Sequence, residues 1–388
     1  MGLSIAMMGT RGVPARYGGF ETAVEEIGSR LTERGHRVRV YCRRGNSAES
    51  VAYKGMQLVT LPALRHRSLE TLSHTGISAL HLVAHRTDVA FVFNAANAPW
   101  LSLLRVARIP VATHVDGLEW RRAKWGPAGR RYYRAAETAS VRLSDALIAD
   151  AHGIADYYRA EYGVPTTFLA YGAPMLRDAG HERLDSLGLK PHGYHLVVAR
   201  FEPENHVHVI VGGFVASRAG LPLVVVGSAP YADEYTAQIH ALANGDPRVR
   251  FIGGVWDQDL LDQLYANALT YFHGHSVGGT NPSLLRAVGA AAPVVAFDVP
   301  FNREVLGPQG AFFRTHGDVA SAVHAAEGAV AAGLKRGALL QQRAADYDWD
   351  DVAAGYETLA QELHERRAPG PWRRARRRRV EEGPAWRI

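Results

Sequence analysis

Residues 271–306 read YFHGHSVGGTNPSLLRAVGAAAPVVAFDVPFNREVL, and the fold can be argued from this stretch outward. A short apolar run at 269–272 passes into a loop rich in histidine and glycine, 273–280. Asn281 then stands as an N-cap with Pro282 at the first helical position, the usual chemistry of a helix start. Leu284, Leu285 and Val288 give that helix one apolar face. A second buried run at 293–296 follows, and a loop at 298–304 closes the unit. Strand, glycine loop, helix, strand is one βαβ unit. Backbone amides from Thr280 to Ser283 are expected to leave the helix N-terminus, where the dipole favours an anion such as a pyrophosphate. The plainer alternative is a glycine loop that only joins strand to helix.

The same alternation extends in both directions. Residues 3–8 form a buried-type strand that ends in GTRGVPARYGGFE (9–21). A helix with Ala23, Val24, Ile27 and Leu31 on one face follows, and 37–41 alternates as a second strand. The G-x-G-x-x-G spacing is missing, so a dinucleotide fingerprint is not supported. Gly18 and Gly19 permit a close backbone approach to a ligand, and Arg11 and Arg16 are either phosphate contacts or surface charge. Strand-like runs at 89–93, 110–113 and 146–149 complete a first parallel sheet with helices on both faces. The segment THVDGLEWRRAKWG (113–126) puts His114, Asp116 and Glu119 at the carboxyl end of a strand, where open α/β sheets bind ligands. Two carboxylates and a histidine there suggest a functional group. Residues 120–142 then mix Arg121, Arg122, Lys124, Arg130, Arg131 and Arg134 with Trp120, Trp125, Tyr132 and Tyr133. That pattern suits either a membrane surface or a solvated helix face.

Between 170 and 194 the periodicity stops and a second α/β set begins, with strands expected at 195–199, 221–226, 249–252, 270–272 and 293–296. The first of these ends in Arg200, whose planar fork suits a pyrophosphate. A helix from about 350 to 366 closes the fold. The expected organisation is a first Rossmann-like domain over 1–175, a second over 176–345, a closing helix at 346–365 and a tail at 366–388. Two such sheets facing each other make a cleft, the default active site.

Composition agrees with a globular α/β protein, with 47% apolar and 21% charged residues. A single cysteine, Cys42, excludes an intramolecular disulfide and fits a reducing compartment, hence a cytoplasmic expectation. No apolar run reaches the length of a spanning helix, and no signal peptide is expected. The formal charge of +6 is unevenly placed: residues 366–388 hold nine arginines against Glu381 and Glu382, so the rest of the chain is slightly acidic. Such a tail is expected to stay disordered, as an attachment to an anionic membrane surface or as a solvated extension. Alone it does not make a nucleic-acid module.

The blocks GTRGVPARYGGFETAVEEIGSRLTERGHRVRVYCR, VDGLEWRRAKWG, LIADAHGIADYY, ARFEPEN and HGHSVGGTNPSLL resemble, in this order, those of retaining, nucleotide-sugar-dependent glycosyltransferases of family 4. They are most similar to a bacterial branch associated with rhamnosyl transfer in surface-polysaccharide assembly. The resemblance covers about 3–365. It implies a GT-B fold of two Rossmann-like domains, with the donor held mainly by the second. It implies no metal and no cofactor beyond the donor itself, in agreement with the lack of a D-x-D at a strand end. The implied partners are the nucleotide sugar and a lipid-linked saccharide at the inner face of the membrane. A nucleotide-sugar epimerase finds no motif support.

By position, the resemblance gives Arg200 and the amides near Gly278, Gly279, Thr280, Asn281 and Ser283 the donor diphosphate, with Gly18 and Gly19 closing from the first domain. His114 matches a position near the transferred sugar, and Asp116 and Glu119 belong to the branch's own block. Two positions depart from the pattern. Asn205 stands where the family has a lysine, and Arg286 where it has a glutamate that accepts from the donor's ribose; Gly278 replaces the acid eight residues before it. A guanidinium has donors only. Arg286 is therefore expected to swing toward the phosphates or out to solvent, and Arg286→Glu to restore ribose recognition. The rival reading is a catalytically weakened relative that acts as a binding partner in glycan assembly.

Overall fold

The computed structural model describes residues 2–15, 18–45, 50–64, 69–115, 117–123, 125–227 and 233–365. Asp116, Arg16, Lys124 and the basic tail thus lie outside the described residues. Contacts divide the chain into two compact units. One holds the residues up to Ala170 together with those from Trp349 onward; the other is Tyr171–Asp348.

The first unit is built on an eight-stranded sheet: β1 (Ser4–Met8), β2 (Arg37–Arg43), β3 (Ala52–Tyr53), β4 (Met56–Leu61), β5 (Val89–Phe93), β6 (Val111–His114), β7 (Ala146–Ala149) and β8 (Thr167–Phe168). Their order is β3-β4-β2-β1-β5-β6-β7-β8, and all pairs are parallel except β3 with β4. Short fully buried runs make such strands, because helices cover both faces of a parallel sheet. Ala6, Met8, Ala90, Val92 and Val111 pack with Ala79 and Leu82 of one such helix. The strand order reverses at β1 and β5, so the loops after those strands flank the crevice where ligands bind in open sheets. The helices of this unit that matter below are α1 (Gly19–Glu33), α2 (Glu70–Ala84) and α3 (Pro127–Leu143).

The second unit carries a six-stranded parallel sheet: β9 (His195–Val198), β10 (Leu223–Val226), β11 (Val249–Gly253), β12 (Thr270–His273), β13 (Val294–Phe297) and β14 (Ala311–Phe313). The order β11-β10-β9-β12-β13-β14 places its reversal between β9 and β12. Ile210 and Phe214 of α4 (Val207–Val215) fill the core with Val197, Phe272 and Val295. Helices α5 (Gln258–Ala266) and α6 (Pro282–Gly289) flank β12 in sequence.

The last helix, α7 (Trp349–His364), belongs to the first unit. Val352, Tyr356, Leu359 and Leu363 are buried, as their spacing predicts for one helical face. The register on α1 is fixed by charge. Arg30 meets Asp350 at 2.7 Å, Arg34 meets Glu357 at 3.0 Å, and His36 Nε2 lies 2.9 Å from Glu357. His36 Nδ1 accepts from the Leu3 amide at 3.1 Å, which leaves the ring proton on Nε2 for the glutamate.

Strands β3, β4, β8 and β14 go beyond the sequence expectation. The β3–β4 hairpin turns at Lys54 and Gly55, which both have positive φ, the backbone of a type I′ turn.

Candidate functional site

In the second unit the loops after β9 and β12 stand on either side of the strand reversal, and hydrogen bonds fasten one to the other. Asn205 Nδ2 donates to the Arg200 carbonyl at 2.9 Å, while its Oδ1 lies 2.9 Å from His275 Nδ1. Ser276 donates from both N and Oγ to the Glu204 carbonyl at 3.0 Å. His206 Nδ1 is 2.8 Å from the Gly274 carbonyl. The approach is close enough to require glycine: a Cβ on Gly274 would stand 1.9 Å from the Asn205 carbonyl oxygen. Asn205 is buried between the loops and fixes them, which leaves the accessible charge to Arg200, paired loosely with Glu202 at 3.5 Å.

Helix α6 begins as the sequence predicts. Asn281 is the N-cap, its Oδ1 accepting from Ser283 N at 2.9 Å and Ser283 Oγ at 2.6 Å, and Pro282 occupies the first turn. One detail corrects the sequence expectation. Of the four residues 280–283, Pro282 has no N–H, and the Ser283 N–H is donated to the cap. Two of the four expected amides, those at 282 and 283, are thus not available to an anion at this helix start. Gly278 has φ +130°, a conformation strained for any side chain, which holds the loop in a bend that only glycine accepts.

Below the loop, Tyr271 Oη lies 3.1 Å from His273 Nδ1 and 3.5 Å from Ser283 Oγ. Burial pushes His273 down to about 3, so the ring is neutral at ordinary pH. Arg286 neither turns toward the loop as a lone cation nor extends into solvent: it forms an ion pair with Asp262 of α5. Burial raises the Asp262 carboxyl above its ordinary value, and the guanidinium opposes that shift.

In the first unit the loop after β1 is held from below by α1. Glu21 Oε1 accepts from the Arg11 amide at 3.0 Å and Glu25 Oε2 from the Ala15 amide at 2.6 Å. Gly18 caps α1 with φ +107° and Gly19 opens it, so both expected glycines sit at the helix start. Two strands away, His114 is the last residue of β6 and is buried. Phe20 meets it edge-on at 5.1 Å between ring centroids, and Phe93 packs at 5.6 Å. Its Nδ1 is 2.8 Å from the hydroxyl of Tyr356 on α7. Burial holds the imidazole neutral, pushed down to about 3.

Glu119 lies on a 3-10 turn and is buried against Arg122, its ion-pair partner. The carboxylate is thus engaged with a cation in the same turn. The neighbouring basic and aromatic residues divide into two groups. Arg134 stacks over Trp120 at 4.9 Å and pairs with Glu161 at 2.7 Å; Arg121 also lies over the Trp120 ring, at 5.1 Å, but is exposed, as are Arg130 and Arg131.

Sequence profiles place this geometry. The family described as "Glycosyl transferase 4-like domain" matches residues 18–172, and "Glycosyl transferases group 1" matches residues 186–336. The chain belongs to the GT4 glycosyltransferases. Both halves of the protein fall within that family, and with two Rossmann-like sheets this GT4 chain has the GT-B fold.

Sucrose-phosphate synthase from Thermosynechococcus elongatus is similar in structure with TM-score 0.79 at 17% identity, covering 93% of this chain and 99% of that one. Anabaena HepE, solved in complex with UDP-glucose, follows with TM-score 0.75 at 15% identity, over 92% and 100% of the two chains. At these identities the likeness is one of fold. The O-antigen chain mannosyltransferase B of Escherichia coli is 27% identical over 122 residues, 30% of this chain and 32% of that relative.

Four residues of the site escaped the sequence reading: Tyr356, Asp262, Glu21 and Glu25. Only the last two left a local signal, as carboxylates one helical turn apart and facing the loop that precedes them.

Proposed function

We propose that this GT4 glycosyltransferase moves a sugar from a nucleoside-diphosphate donor to a lipid-linked saccharide at the inner face of a membrane, with retention of anomeric configuration. Its sequence blocks favour rhamnose as that sugar. The observation that carries the donor half is the pair of fastened loops at the strand reversal of the second sheet, with Arg200 on one and the capped start of α6 on the other. Support for the substrate class comes from relatives: HepE is solved with UDP and with UDP-glucose, and the E. coli relative is named for mannosyl transfer to O-antigen.

In this reading Arg200 and the amides of Thr280 and Asn281 take the diphosphate, and Gly278 and Gly279 allow its close approach. Ser283 completes the cap, Asn205 keeps the two loops in register, and Arg286 lies along the ribose. The family resemblance assigns Gly18 and Gly19 to the donor as well. It assigns His114, Asp116 and Glu119 to the transferred sugar and its acceptor. As the bond from the anomeric carbon to the diphosphate breaks, negative charge grows on the leaving group. A cation and oriented dipoles fixed beforehand stabilise that charge without having to reorganise.

The test is incubation with a panel of nucleotide sugars and a polyprenyl-diphosphate saccharide, reading nucleoside diphosphate release and the anomer formed. Release from one donor, with a retained anomer, is expected. A ligand at a hundred times its Kd adds about 2.7 kcal/mol of stability, so thermal shift finds the base in advance. The second reading, a binding protein without turnover, is favoured by the ion pair of Arg286 and Asp262 where the family carries a glutamate. Nucleotide binding with no release from any donor would establish it.

A further inference from the structure

Tyr356 reaches His114 from α7, 242 positions later in the chain. The phenol is buried, with its ring edge-on to Phe91 at 5.0 Å between centroids. Among the described residues its hydroxyl has a single hydrogen-bond partner, His114 Nδ1 at 2.8 Å. The helix that carries it cannot slide or turn freely. Glu357, the next residue, is tied to Arg34 and His36, and Asp350 is tied to Arg30.

The direction of the bond follows from what a buried donor needs. If the imidazole donated from Nδ1, the phenolic O–H would have no acceptor, and a buried donor left unmade is the costly case. If the phenol donates, Nδ1 accepts and the neutral ring keeps its proton on Nε2. Burial keeps both groups in these forms, holding the imidazole neutral and the phenol protonated. Phe20 and Phe93 pack against the ring and restrict its rotation.

We propose that Tyr356 is a positioning residue that locks His114 as the Nε2–H tautomer, making it a neutral hydrogen-bond donor to the transferred sugar and not a proton-accepting base. This rests on the reading that His114 faces that sugar. A donor at Nε2 requires a lone pair opposite it, so the ligand chemistry is a sugar hydroxyl or ring oxygen; a deoxy centre at that point gains nothing from the histidine.

The tautomer is read directly by two-dimensional NMR of ligand-free protein labelled with 15N-histidine, His114 being assigned by its loss in His114→Gln. A single Nε2–H form is expected, replaced by a tautomer mixture in Tyr356→Phe, which keeps the ring and its packing. In turnover, Tyr356→Phe is expected to lower kcat/KM roughly tenfold in the wild-type background, the scale of one hydrogen bond. In His114→Gln it should cost nothing further, because the residue it acts through is gone. An Nδ1–H tautomer in the wild type overturns the proposal. So does an equal loss from Tyr356→Phe in both backgrounds, which marks a packing role. An Nε2–H tautomer lost in Tyr356→Phe, in a protein that turns over no nucleotide sugar, leaves the lock standing and removes the functional reading.

Discussion

Asn205 stands where the family resemblance leads one to expect a lysine, and in the structure its Nδ2 bonds back to Arg200 of its own loop while its Oδ1 reaches His275 of the other. The cation that the lysine would supply is absent, and Arg200 is the only lysine or arginine in residues 199–206. Arg200→Ala should therefore weaken nucleoside diphosphate binding by about 2–3 kcal/mol, the scale of a charge-assisted bond. Arg200→Lys should restore only part, since a point charge lacks the planar fork. Isothermal titration decides, and wild-type affinity in the alanine variant would misplace the site. Arg286 calls for a revised experiment. Because it pairs with Asp262, Arg286→Glu would set two carboxylates side by side. The single variant should lose about 1–2 kcal/mol of stability, between the worth of an exposed pair and the cost of breaking a buried one. Adding Asp262→Asn should recover the loss and strengthen binding of a ribonucleotide donor by about 1–3 kcal/mol, one charged hydrogen bond. Improved binding by Arg286→Glu alone, with an unchanged melting point, would show that the pair has no such role.

Helix α7 shows what one element contributes and how pH should reveal it. The hydrogen bond from His36, and then that from Arg34, hold the Glu357 carboxyl below its usual value of 4.5. A carboxyl lowered in the folded state adds stability that is fully present above 4.5 and is lost as pH falls through the folded value. The melting point of wild type should thus exceed that of Glu357→Gln at pH 7, and the gap should close in acid. A gap that persists at pH 3 would mean that glutamine disturbs packing instead. The buried face of α7 was legible in the sequence because Val352, Tyr356, Leu359 and Leu363 follow the helical period. So were the long buried strands, the Asn281-Pro282 helix start and the glycine loops, all of which are local chemistry. Strands β3, β8 and β14 were not, since two or three residues carry no period. Tyr356 with His114 and Asp262 with Arg286 were not legible either. Each pair joins separate elements, and nothing in the sequence near one partner points to the other. The amide of Ser283 was assigned to an anion because a sequence shows that a cap exists but not which N–H it consumes.

At the scale of the whole molecule, charge and chain order carry the argument. The body is slightly acidic and the nine arginines of 366–388 make the chain basic, so attachment to an anionic surface should reside in those residues, which lie outside the described structure. Removing 366–388 should leave the melting point nearly unchanged and lower binding to anionic vesicles, with the lost part being the salt-sensitive one. Equal vesicle binding by both forms would assign attachment to the exposed Arg121, Arg130 and Arg131 region. Chain order has its own consequence. The first unit takes its last helix from the far end of the sequence, and His114 waits 242 positions for Tyr356. At 5–20 residues per second, a ribosome needs roughly 10–50 s to cover that interval. Throughout it the nascent first unit lacks α7, and the apolar surface that Val352, Leu359 and Leu363 will cover is open to chaperones and to other nascent chains. Translation that stops early releases a protein whose second unit can be whole while its first is unfinished beside His114. Completion of the His114 site is therefore timed by the arrival of α7, and the histidine is made long before the residue that holds it.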